Sequence, residues 1–278
     1  MEAADFKRAS HSVWTAMAPG WDQRHPYFEE AARPVTERML ERLEPAPGQT
    51  ILDLAAGTGV AGFAAAPLVG EGQVIISDFS EAMVEAAERQ AVRLGLKNVE
   101  CRVLDAEKLD LPDGAVDGVL CRWGYMLMAD PGAALRETHR VLRNGGRLSC
   151  AVFASAEDNP WAARPSHVLQ ERGHMPTPEA GAPGILALAD VDRLGALITG
   201  AGFGEPRIDE VSFSFRFVDA GDYWDFLVHA AGAIAMVLER LDEDELEAVR
   251  TEIVQLVEPF AGDEGVTFPA KVHVASAS

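Results

Sequence analysis

The sequence predicts an α/β fold in which helices cover both faces of a mostly parallel, doubly wound sheet. Between residues 50 and 153, apolar segments of strand length alternate with segments of helix length. The strand segments are continuously apolar, which is typical of parallel strands that are buried on both faces. Because a helix between two parallel strands makes a right-handed crossover, this order predicts the path of the chain as well as its fold class.

Five strands are predicted in the alternating region, at residues 50–54, 73–77, 99–104, 117–122 and 147–153. Local signals support the helices between them. Ser80 is suited to cap a helix that begins at Glu81, and Gly95 is suited to end it. Asp130 followed by Pro131 predicts the start of a later helix, because proline is favoured at the first helical position.

The chain after residue 153 is expected to complete the sheet and to add a cover. Apolar periodicity predicts a helix at 190–201 and strands at 207–217 and 266–275. We assign the stretches outside the alternation to a lid. The expected division is a lid segment at 1–45, a core at 46–154, a lid insertion at 155–189, a core helix and strand at 190–217, a helical lid insertion at 218–262 and a final core strand at 263–278.

Charge and composition exclude several classes of partner. The 278 residues include 24 Lys and Arg against 44 Asp and Glu, which gives a formal net charge of −20. Such a field repels phosphate backbones and anionic lipids, so we expect neither nucleic acid nor a membrane as a partner. No apolar run approaches the ~20 residues of a membrane span, and the amino-terminal segment lacks the features of a signal peptide. A cytoplasmic location is therefore expected.

The cysteines and histidines do not indicate a metal site. Cys101, Cys121 and Cys150 lack the CxxC spacing of zinc and redox sites, and each falls inside a predicted strand. Buried, reduced thiols are the simplest interpretation. Because no histidine and cysteine cluster accompanies them, we expect no metal ion.

A glycine-rich turn follows the first predicted strand in the segment ILDLAAGTGVAGFAAA. Gly57, Gly59 and Gly62 match the pattern GxGxxG, and Asp78 stands at the end of the second strand. A turn without side chains lets backbone N–H groups approach a cofactor closely, and an acid beyond the second strand can accept hydrogen bonds from both ribose hydroxyls. Alone, this pattern fits either a dinucleotide or S-adenosylmethionine.

Four further features favour the second of these cofactors. Asp53 precedes the glycines, Asp105 begins an acidic segment after the third strand, Arg122 ends the fourth strand, and Gly145 and Gly146 predict a turn before the fifth. Through the segments LDLAAGTG, SDFSEAM, DAEKLDLP and RVLRNGGRL, the chain resembles the class I S-adenosylmethionine-dependent methyltransferases. Its WTAMAPGWD segment is similar to that of the quinone-methylating, UbiE-like small-molecule branch, in which an N-terminal helix closes over the cofactor.

The resemblance implies a Rossmann-like sheet of seven strands with a reversed final strand, under a helical lid. It implies S-adenosyl-L-methionine as the cofactor, with Asp78 at the ribose and the methionine end over the turn. The positions that it assigns to the cofactor are Trp14, Trp21, Asp53, Ala55, Gly57, Thr58, Gly59, Asp78, Phe79, Met83, Asp105, Ala106, Glu107, Arg122, Trp123 and Gly124. One departure is the pair Ala55 and Ala56 in place of the commoner Gly-Cys, which adds little bulk near the cofactor.

The activity that the resemblance implies is transfer of a methyl group to an oxygen, nitrogen or carbon atom of a small, aromatic or apolar metabolite. Such an in-line displacement requires positioning and exclusion of water, and a hydroxyl nucleophile also requires a proton acceptor. Candidates for that role are His25, Tyr125, His167, His174 and His229. We expect His139, in a helix, and His273, on the last strand, to be structural.

The tryptophans support an aromatic site at one end of the predicted sheet. All five fall outside the strands and crossover helices, at Trp14, Trp21, Trp123, Trp161 and Trp224. We therefore expect them at the carboxyl ends of the strands or in the lid, where ligands of open α/β sheets bind. Aromatic walls suit a sulfonium cation and a flat acceptor, although the same rings could instead join the lid to the sheet.

Two other functions remain open from the sequence. The glycine turn and Asp78 would also suit an NAD-dependent oxidoreductase, which would bind NADH rather than S-adenosylhomocysteine. The lack of an obvious base would suit a non-catalytic S-adenosylmethionine-binding protein, which would bind the cofactor without turnover. A nucleic-acid acceptor is disfavoured by the charge and because RWGY stands where an Asp/Asn-Pro-Pro-aromatic motif is expected of amino-methylating nucleic-acid enzymes.

Overall fold

A computed structural model describes residues 3–179 and 181–278 of the chain. The strands are β1 Thr50–Leu54, β2 Gln73–Asp78, β3 Val99–Val103, β4 Val116–Arg122, β5 Leu142–Phe153, β6 Arg207–Phe217, β7 Ala261–Gly262 and β8 Gly265–Ala277. The helices are α1 Ala3–Gln23, α2 His25–Ala31, α3 Arg33–Leu43, α4 Val60–Ala65, α5 Glu81–Leu94, α6 Pro131–Val141, α7 Pro160–Glu171, α8 Val191–Gly200, α9 Ala220–Ala230, α10 Ala233–Leu238 and α11 Glu243–Gln255. Of the expected lid, residues 1, 2 and 180 lie outside the described residues.

The sheet has the order β3-β2-β1-β4-β5-β8-β6, and the two-residue strand β7 pairs with β8 beside this path. The pairs among β1 to β5 are parallel, whereas β8 is antiparallel to both β5 and β6. The seven strands of this path and the reversed final strand agree with the prediction, and the two-residue β7 adds an eighth strand that was not predicted. Strand order reverses between β1 and β4, and the carboxyl ends of these neighbours lie side by side, where open α/β sheets bind their ligands.

One predicted strand boundary was wrong. The sequence places a Gly145-Gly146 turn before a strand at 147, but β5 begins at Leu142 and runs through both glycines. Its pairing with β4 shifts register between Val116 and Gly118. Gly145 adopts φ +77° there. Because glycine accepts this left-handed conformation without steric cost, the chain passes through an irregularity while its pairing continues.

The predicted helix starts follow from capping side chains. In the first turns of α5, α6 and α11, a side-chain oxygen accepts a hydrogen bond from the amide three residues later, at Ser80, Asp130 and Asp242. These contacts satisfy amides that have no partner inside the helix. Gly95 ends α5 in the left-handed conformation at φ +67°, as a C-terminal cap requires.

Helix α3 differs from the lid assignment of residues 1–45. It packs against β4, β5, β6 and β8, and it buries Val35, Met39 and Leu43 against the sheet. These residues recur every fourth position, so they form one apolar face that covers the strands. We keep the term lid for α1, α2, α7 and α9 to α11, and its closing role is a proposal.

The lid is joined to the core by a small apolar cluster of its own. Val13 and Met17 of α1 pack with Met83 of α5 and Ala235 of α10. Helix α1 also contacts α9, and α7 contacts α10 and α11. The lid helices thus pack on one another and on α5, the helix that follows β2. Among the described residues, no helix combines the length and apolar character needed to cross a membrane.

Candidate active site

The glycine turn lies at the carboxyl end of β1, and its backbone is left-handed at several positions. Ala55, Gly57 and Gly59 have φ values of +52°, +55° and +88°. An alanine in this region is strained, and such strain is typical of functional loops that the surrounding structure holds in place. Glycine at the other two positions removes that strain.

Two of the three glycines are required by packing within the protein. A Cβ on Gly59 would lie 2.5 Å from the ring of Phe63. A Cβ on Gly62 would lie 2.3 Å from Cδ1 of Ile76. The close approach at Gly62 lets α4 pack against β2, and the bare backbone at Gly59 makes room for the Phe63 ring of α4.

Gly57 is different, because a Cβ there would meet no distant atom nearer than 3.9 Å. The nearest atoms are Cε3 of Trp21 at 3.9 Å and Sδ of Met83 at 4.0 Å. The backbone at Gly57 therefore faces a side open to close approach, bordered by two residues predicted to contact the cofactor.

Asp78 connects the tip of β2 to this turn. Its Oδ2 accepts a hydrogen bond of 3.0 Å from the Gly57 amide, and its Oδ1 accepts one of 3.0 Å from the Ser80 amide. The side chain is buried, and burial raises its pKa to about 6. A carboxylate offers about four acceptor sites, so Asp78 keeps capacity for further donors such as ribose hydroxyls.

Asp53 stabilises the turn through a buried hydrogen bond. Its Oδ2 accepts a 2.6 Å hydrogen bond from the Gly62 amide at the start of α4. Its Oδ1 has no hydrogen-bond partner among the described residues. Complete burial raises the pKa of this carboxyl to about 7. Asp53 therefore fixes the turn, and it is not exposed to a ligand.

His25 is the candidate proton acceptor that the structure brings to the turn. Its Nδ1 lies 3.0 Å from Oγ1 of Thr58, and both side chains are buried. Burial, together with the positive charge of Arg122, lowers the pKa of His25 to about 4. The imidazole is therefore neutral at pH 7, and it ties α2 to the turn.

The other four candidates do not approach the turn. Tyr125 is fully buried, its hydroxyl lies 2.6 Å from Oγ1 of Thr138 on α6, and burial raises its pKa far above 10. Three histidines instead pair with neighbouring acids in the outer layer, His167 with Glu171, His174 with Glu245 and His229 with Asp225. The Tyr125 hydroxyl faces α6, and a catalytic role for this residue stays a prediction. His139 packs edge-on against a phenylalanine, as expected of a structural histidine.

Helix α1 covers the positions predicted for the adenine. Nζ of Lys7 lies 2.7 Å from Oδ2 of Asp105 and 3.1 Å from Oε2 of Glu107. The ring of His11 packs edge-on against Phe79, with centroids 5.5 Å apart. The predicted adenine contacts are therefore brought together on one side of the turn, beneath the amino-terminal helix. Ala106, between the two acids, is also buried.

The end of β4 packs directly on the glycine turn. A Cβ on Gly124 would lie 2.7 Å from Sγ of Cys121 and 2.8 Å from Cβ of Ala55. Trp123 adopts φ +64°, a conformation that bulky residues rarely take. Its amide donates a 2.8 Å hydrogen bond to the carbonyl oxygen of Ala151. This strained residue turns the chain at the expected methionine end of the site.

Arg122 is the last residue of β4. Its guanidinium is 4.7 Å from the centroid of the Trp123 ring, and its Nη1 donates a 3.1 Å hydrogen bond to Oγ1 of Thr36. Burial lowers its pKa to about 10, although the charge of Asp53 acts in the opposite direction. Arg122 therefore remains a cation at pH 7.

The tryptophans lie at the carboxyl ends of the strands or in the lid, as predicted. Trp14 packs edge-on against Trp21, with ring centroids 5.9 Å apart, and Trp21 stacks on Phe28 at 4.0 Å. The sequence did not predict which phenylalanines complete this aromatic region, and these are Phe28, Phe153, Phe213, Phe215 and Phe226. The alternating apolar pattern of 207–217 marks one face of β6, but it does not reveal which helix covers that face.

A cavity at the other edge of the sheet carries none of this chemistry. It has a volume of about 230 Å³ and opens at the amino ends of β1 and β4. Its charged side chains already form ion pairs, since Arg147 pairs with Glu44 at 2.5 Å and Asp117 with Arg143 at 2.6 Å. Ligands of open α/β sheets bind at the opposite edge. Within the described part of the chain, no group of three His, Cys, Asp or Glu side chains forms a metal-binding arrangement.

The residues at the turn fit an adenosyl cofactor. The open backbone at Gly57 permits close approach, and the remaining acceptor capacity of Asp78 suits ribose hydroxyls. Met83 supplies a buried apolar surface beside them. The turn therefore combines an open backbone, a carboxylate with remaining acceptor capacity and an apolar surface.

Comparison with known proteins agrees with this geometry. Residues 51–146 match a family described as a methyltransferase domain. The Escherichia coli ubiquinone/menaquinone biosynthesis C-methyltransferase UbiE is 35% identical over 167 residues, which cover 56% of this chain and 66% of that protein. The chain thus spans slightly less than two thirds of the length of the curated relatives it matches.

Solved structures share the fold at lower identity. The YcgJ protein from Bacillus subtilis is 20% identical, with a TM-score of 0.59 over 87% of this chain and 96% of that one. A geranyl diphosphate methyltransferase, solved in complex with GPP and sinefungin, is 19% identical, with a TM-score of 0.51 over 87% of this chain and 77% of that one. At these identities the likeness shows the fold.

Proposed function

We propose, on the premise that this chain belongs to the class I S-adenosylmethionine-dependent methyltransferases, that it methylates an oxygen, nitrogen or carbon atom of a small aromatic or apolar metabolite. The observation that carries the proposal is the pairing of Gly57 with Asp78 at the point where strand order reverses. That pairing puts an open backbone and a carboxylate together at the ligand-binding edge of the sheet. The match to UbiE supports a small-molecule acceptor.

Different residues around the turn would contact different parts of the cofactor. The Gly57 backbone would contact its centre, and Asp78 would accept hydrogen bonds from the ribose hydroxyls. Asp105 and Ala106 would line the adenine edge, and Trp123 the methionine end. The chemistry that S-adenosylmethionine supplies when bound is an electrophilic methyl group on a sulfonium sulfur.

The protein's own contribution would be positioning and exclusion of water. The Trp21 ring of the lid lies beside the turn, 3.9 Å from a Cβ placed on Gly57, and an aromatic face attracts a sulfonium cation by about 0.5–2 kcal/mol. The imidazole of His25 is neutral at pH 7, because its pKa is about 4. A base this weak favours an acceptor that is already ionised or that needs no deprotonation.

Ligand-dependent melting tests the cofactor part of the proposal. A ligand at 100-fold above its dissociation constant adds ~2.7 kcal/mol of stability, which raises the melting temperature of a chain this size by roughly 5–10 °C. We expect this shift with S-adenosylhomocysteine and none with NADH. The reverse pattern would support the oxidoreductase instead. A radiolabelled methyl-transfer screen over phenols, quinones, amines and glycosides would then identify the acceptor.

We further propose that the enzyme acts in the cytoplasm and not on nucleic acid. Cys101, Cys121 and Cys150 are free thiols, which are typical of reducing compartments. The net charge of −20 opposes binding to a phosphate backbone. Transfer to an RNA or DNA substrate in the same radiolabelled screen would contradict this part of the proposal.

A further inference from the structure

Strand β3 forms one end of the sheet, and one of its two sides has no neighbouring strand. It pairs with β2, and no other strand pairs with it among residues 3–179 and 181–278. We call the free side of Val99–Val103 the β3 edge. An unpaired strand side presents backbone donors and acceptors with which another chain can continue the sheet. The β3 edge is therefore a candidate interface.

The backbone groups on the β3 edge are those of Val99, Cys101 and Val103. The amide of Leu104 donates a 2.9 Å hydrogen bond to the carbonyl oxygen of Asp78 on β2. Because the backbone groups of successive residues point alternately to the two sides of a strand, the even-numbered residues of β3 face β2 and the odd-numbered residues face away from it. The odd-numbered residues thus offer their amide and carbonyl groups to a new neighbour.

The residues of β3 are complementary to a second, antiparallel copy of the same strand. When Cys101 lies on the two-fold axis, Glu100 of one copy is opposite Arg102 of the other, and Val99 is opposite Val103. The odd-numbered residues then form the hydrogen-bonded pairs, which agrees with the direction of their backbone groups. Glu100 and Arg102 form the non-hydrogen-bonded pairs, in which opposed side chains approach most closely.

The side chains that would meet in this arrangement are accessible in the single chain. The side chains of Arg102 and Glu100 are 34% and 48% exposed, and they approach each other only to 3.9 Å. Val103 is 47% exposed. Pairing of two β3 edges would give each charge a directly opposed partner, and it would cover part of an exposed valine.

The same charges disfavour other registers of the two strands. An axis at Glu100 would put two glutamates opposite each other, and an axis at Arg102 would put two arginines opposite each other. Parallel strands in register would put like charges together at both positions. Like charges that are directly opposed destabilise strand pairing, and charged residues on an edge normally prevent it. Of these arrangements, only the one centred on Cys101 puts opposite charges together.

We propose that the β3 edge is a homodimer interface, in which β3 pairs antiparallel with β3 of a second copy about a two-fold axis at Cys101. The sheet then continues from one copy into the other. This inference goes beyond the proposed methyltransferase function and does not depend on it. Because β3 has only five residues, it supplies only part of the ~1,200–2,000 Å² that stable interfaces bury, so we expect a weak, micromolar dimer.

Sedimentation velocity on the full chain measures this association. The chain is run at about 1 to 300 µM, a range that spans micromolar dissociation constants. The net charge of −20 on each copy opposes association, but a buffer of about 0.15 M salt screens charges that are more than ~8 Å apart. We expect the sedimentation coefficient to rise with concentration from the value of a monomer toward that of a dimer. A monomer throughout this range would overturn the proposal.

Charge reversal tests the register. Glu100→Arg and Arg102→Glu each put like charges opposite each other, so each should weaken the dimer about tenfold or more. These two substitutions change the net charge in opposite directions, so a common effect cannot come from net charge. The combined variant restores opposite charges, and its dissociation constant should return to within about threefold of the wild-type value. Glu205→Arg is the matched control for the first substitution, because Glu205 is exposed before β6 at the other end of the sheet. It should leave the dimer unchanged.

Cross-linking through Cys101 locates the two-fold axis. Cys121 and Cys150 are completely buried, so a short bismaleimide should join two folded copies only through Cys101. Burial and nearby acids raise the pKa of the Cys101 thiol to about 11, so the reaction is slow. Mass spectrometry after treatment with N-ethylmaleimide checks that Cys101 reacts. We expect a covalent dimer from the wild type and from the combined variant, and none from Cys101→Ser.

The remaining outcomes overturn the inference. A dimer that both single reversals leave unchanged, or that the folded combined variant fails to restore, uses another surface or register. A dimer that the bismaleimide does not join, although N-ethylmaleimide labels Cys101, has its axis elsewhere. Circular dichroism melting checks that each variant is folded. Binding of S-adenosylhomocysteine is measured in the same samples, and its absence from the wild-type chain would overturn the proposed function without affecting the interface.

Discussion

The amide of Gly57 donates a 3.0 Å hydrogen bond to Oδ2 of Asp78, which joins the turn after β1 to the tip of β2. The two residues are distant in sequence, yet the parallel pairing of β1 with β2 brings their strand ends to the same edge. The bond fixes both the backbone and the carboxylate that a nucleoside would contact. The following predictions test this arrangement and its surroundings.

Gly57→Val should abolish binding of S-adenosylhomocysteine while the fold survives. The substitution puts a branched side chain on the open side of the turn at φ +55°, and the strain costs about 1–2 kcal/mol. Gly95→Val is the matched control, since Gly95 has φ +67° and no atom within 4 Å of an added Cβ. Calorimetry should show loss of binding only for Gly57→Val. Normal binding by that variant would mean that the turn is not the cofactor site.

Asp53 should make the protein less stable as pH rises from about 4 to about 7. Burial raises the pKa of this carboxyl to about 7, so the folded state binds its proton more tightly than the unfolded state. The stabilisation is complete below the unfolded pKa near 4 and is lost as pH rises through the folded value. Asp53→Asn should remove this part of the pH dependence in urea unfolding, measured between pH 4 and pH 8. An identical slope in both proteins would contradict the assignment.

The sequence predicted those parts of the site that depend on strand ends and turns. The glycine pattern predicted a turn without side chains at Gly57. Asp78 was predicted beside it because parallel strands align their carboxyl ends. The direction of the Tyr125 side chain could not be predicted, because Trp123 takes a left-handed backbone that nothing in its residue type indicates. That bend sends the Tyr125 hydroxyl to Thr138 on α6.

The contacts among Trp123, Phe153, Trp161, Phe213 and Phe215 could not be predicted from sequence for a different reason. These rings come from β5, β6, α7 and the residue after β4, and their contacts depend on how β8 inserts between β5 and β6. Periodicity shows which face of a strand is apolar, but it does not show which residues of other elements cover that face. The missing partners of Trp123 and Trp161 are likewise visible only once the packing is known.

His25 should titrate with a midpoint of about 4 in the folded protein. Burial disfavours the imidazolium, and the charge of Arg122 adds to the effect. A lowered pKa means that this group stabilises the fold above its unfolded pKa near 6.5 and that the stabilisation is lost as pH falls toward 4. Imidazole chemical shifts, assigned by comparison with His25→Gln, would measure the midpoint. A midpoint above 6 would show that the side chain is solvated and does not hold Thr58 as described.

Lys7→Met should loosen α1 and speed the exchange of S-adenosylhomocysteine. Lys7 pairs with Asp105 and Glu107 at 2.7 and 3.1 Å, and this contact ties α1 to the predicted adenine edge. Because partly exposed ion pairs contribute only about 0–1 kcal/mol, the association and dissociation rates should rise about twofold to fivefold. Stopped-flow tryptophan fluorescence would measure both rates.

The control for this prediction is Lys97→Met, which removes an exposed lysine in the loop between α5 and β3. It lowers the charge of the chain by the same amount but leaves the contacts of α1 intact, so its rates should match those of the wild type. Hydrogen exchange should become faster in α1 of Lys7→Met and remain unchanged in α5. Equal rates in the two variants would mean that general charge, and not the contact with Asp105, controls access to the turn. Faster exchange throughout α5 would instead indicate that Lys7 stabilises the core rather than the lid.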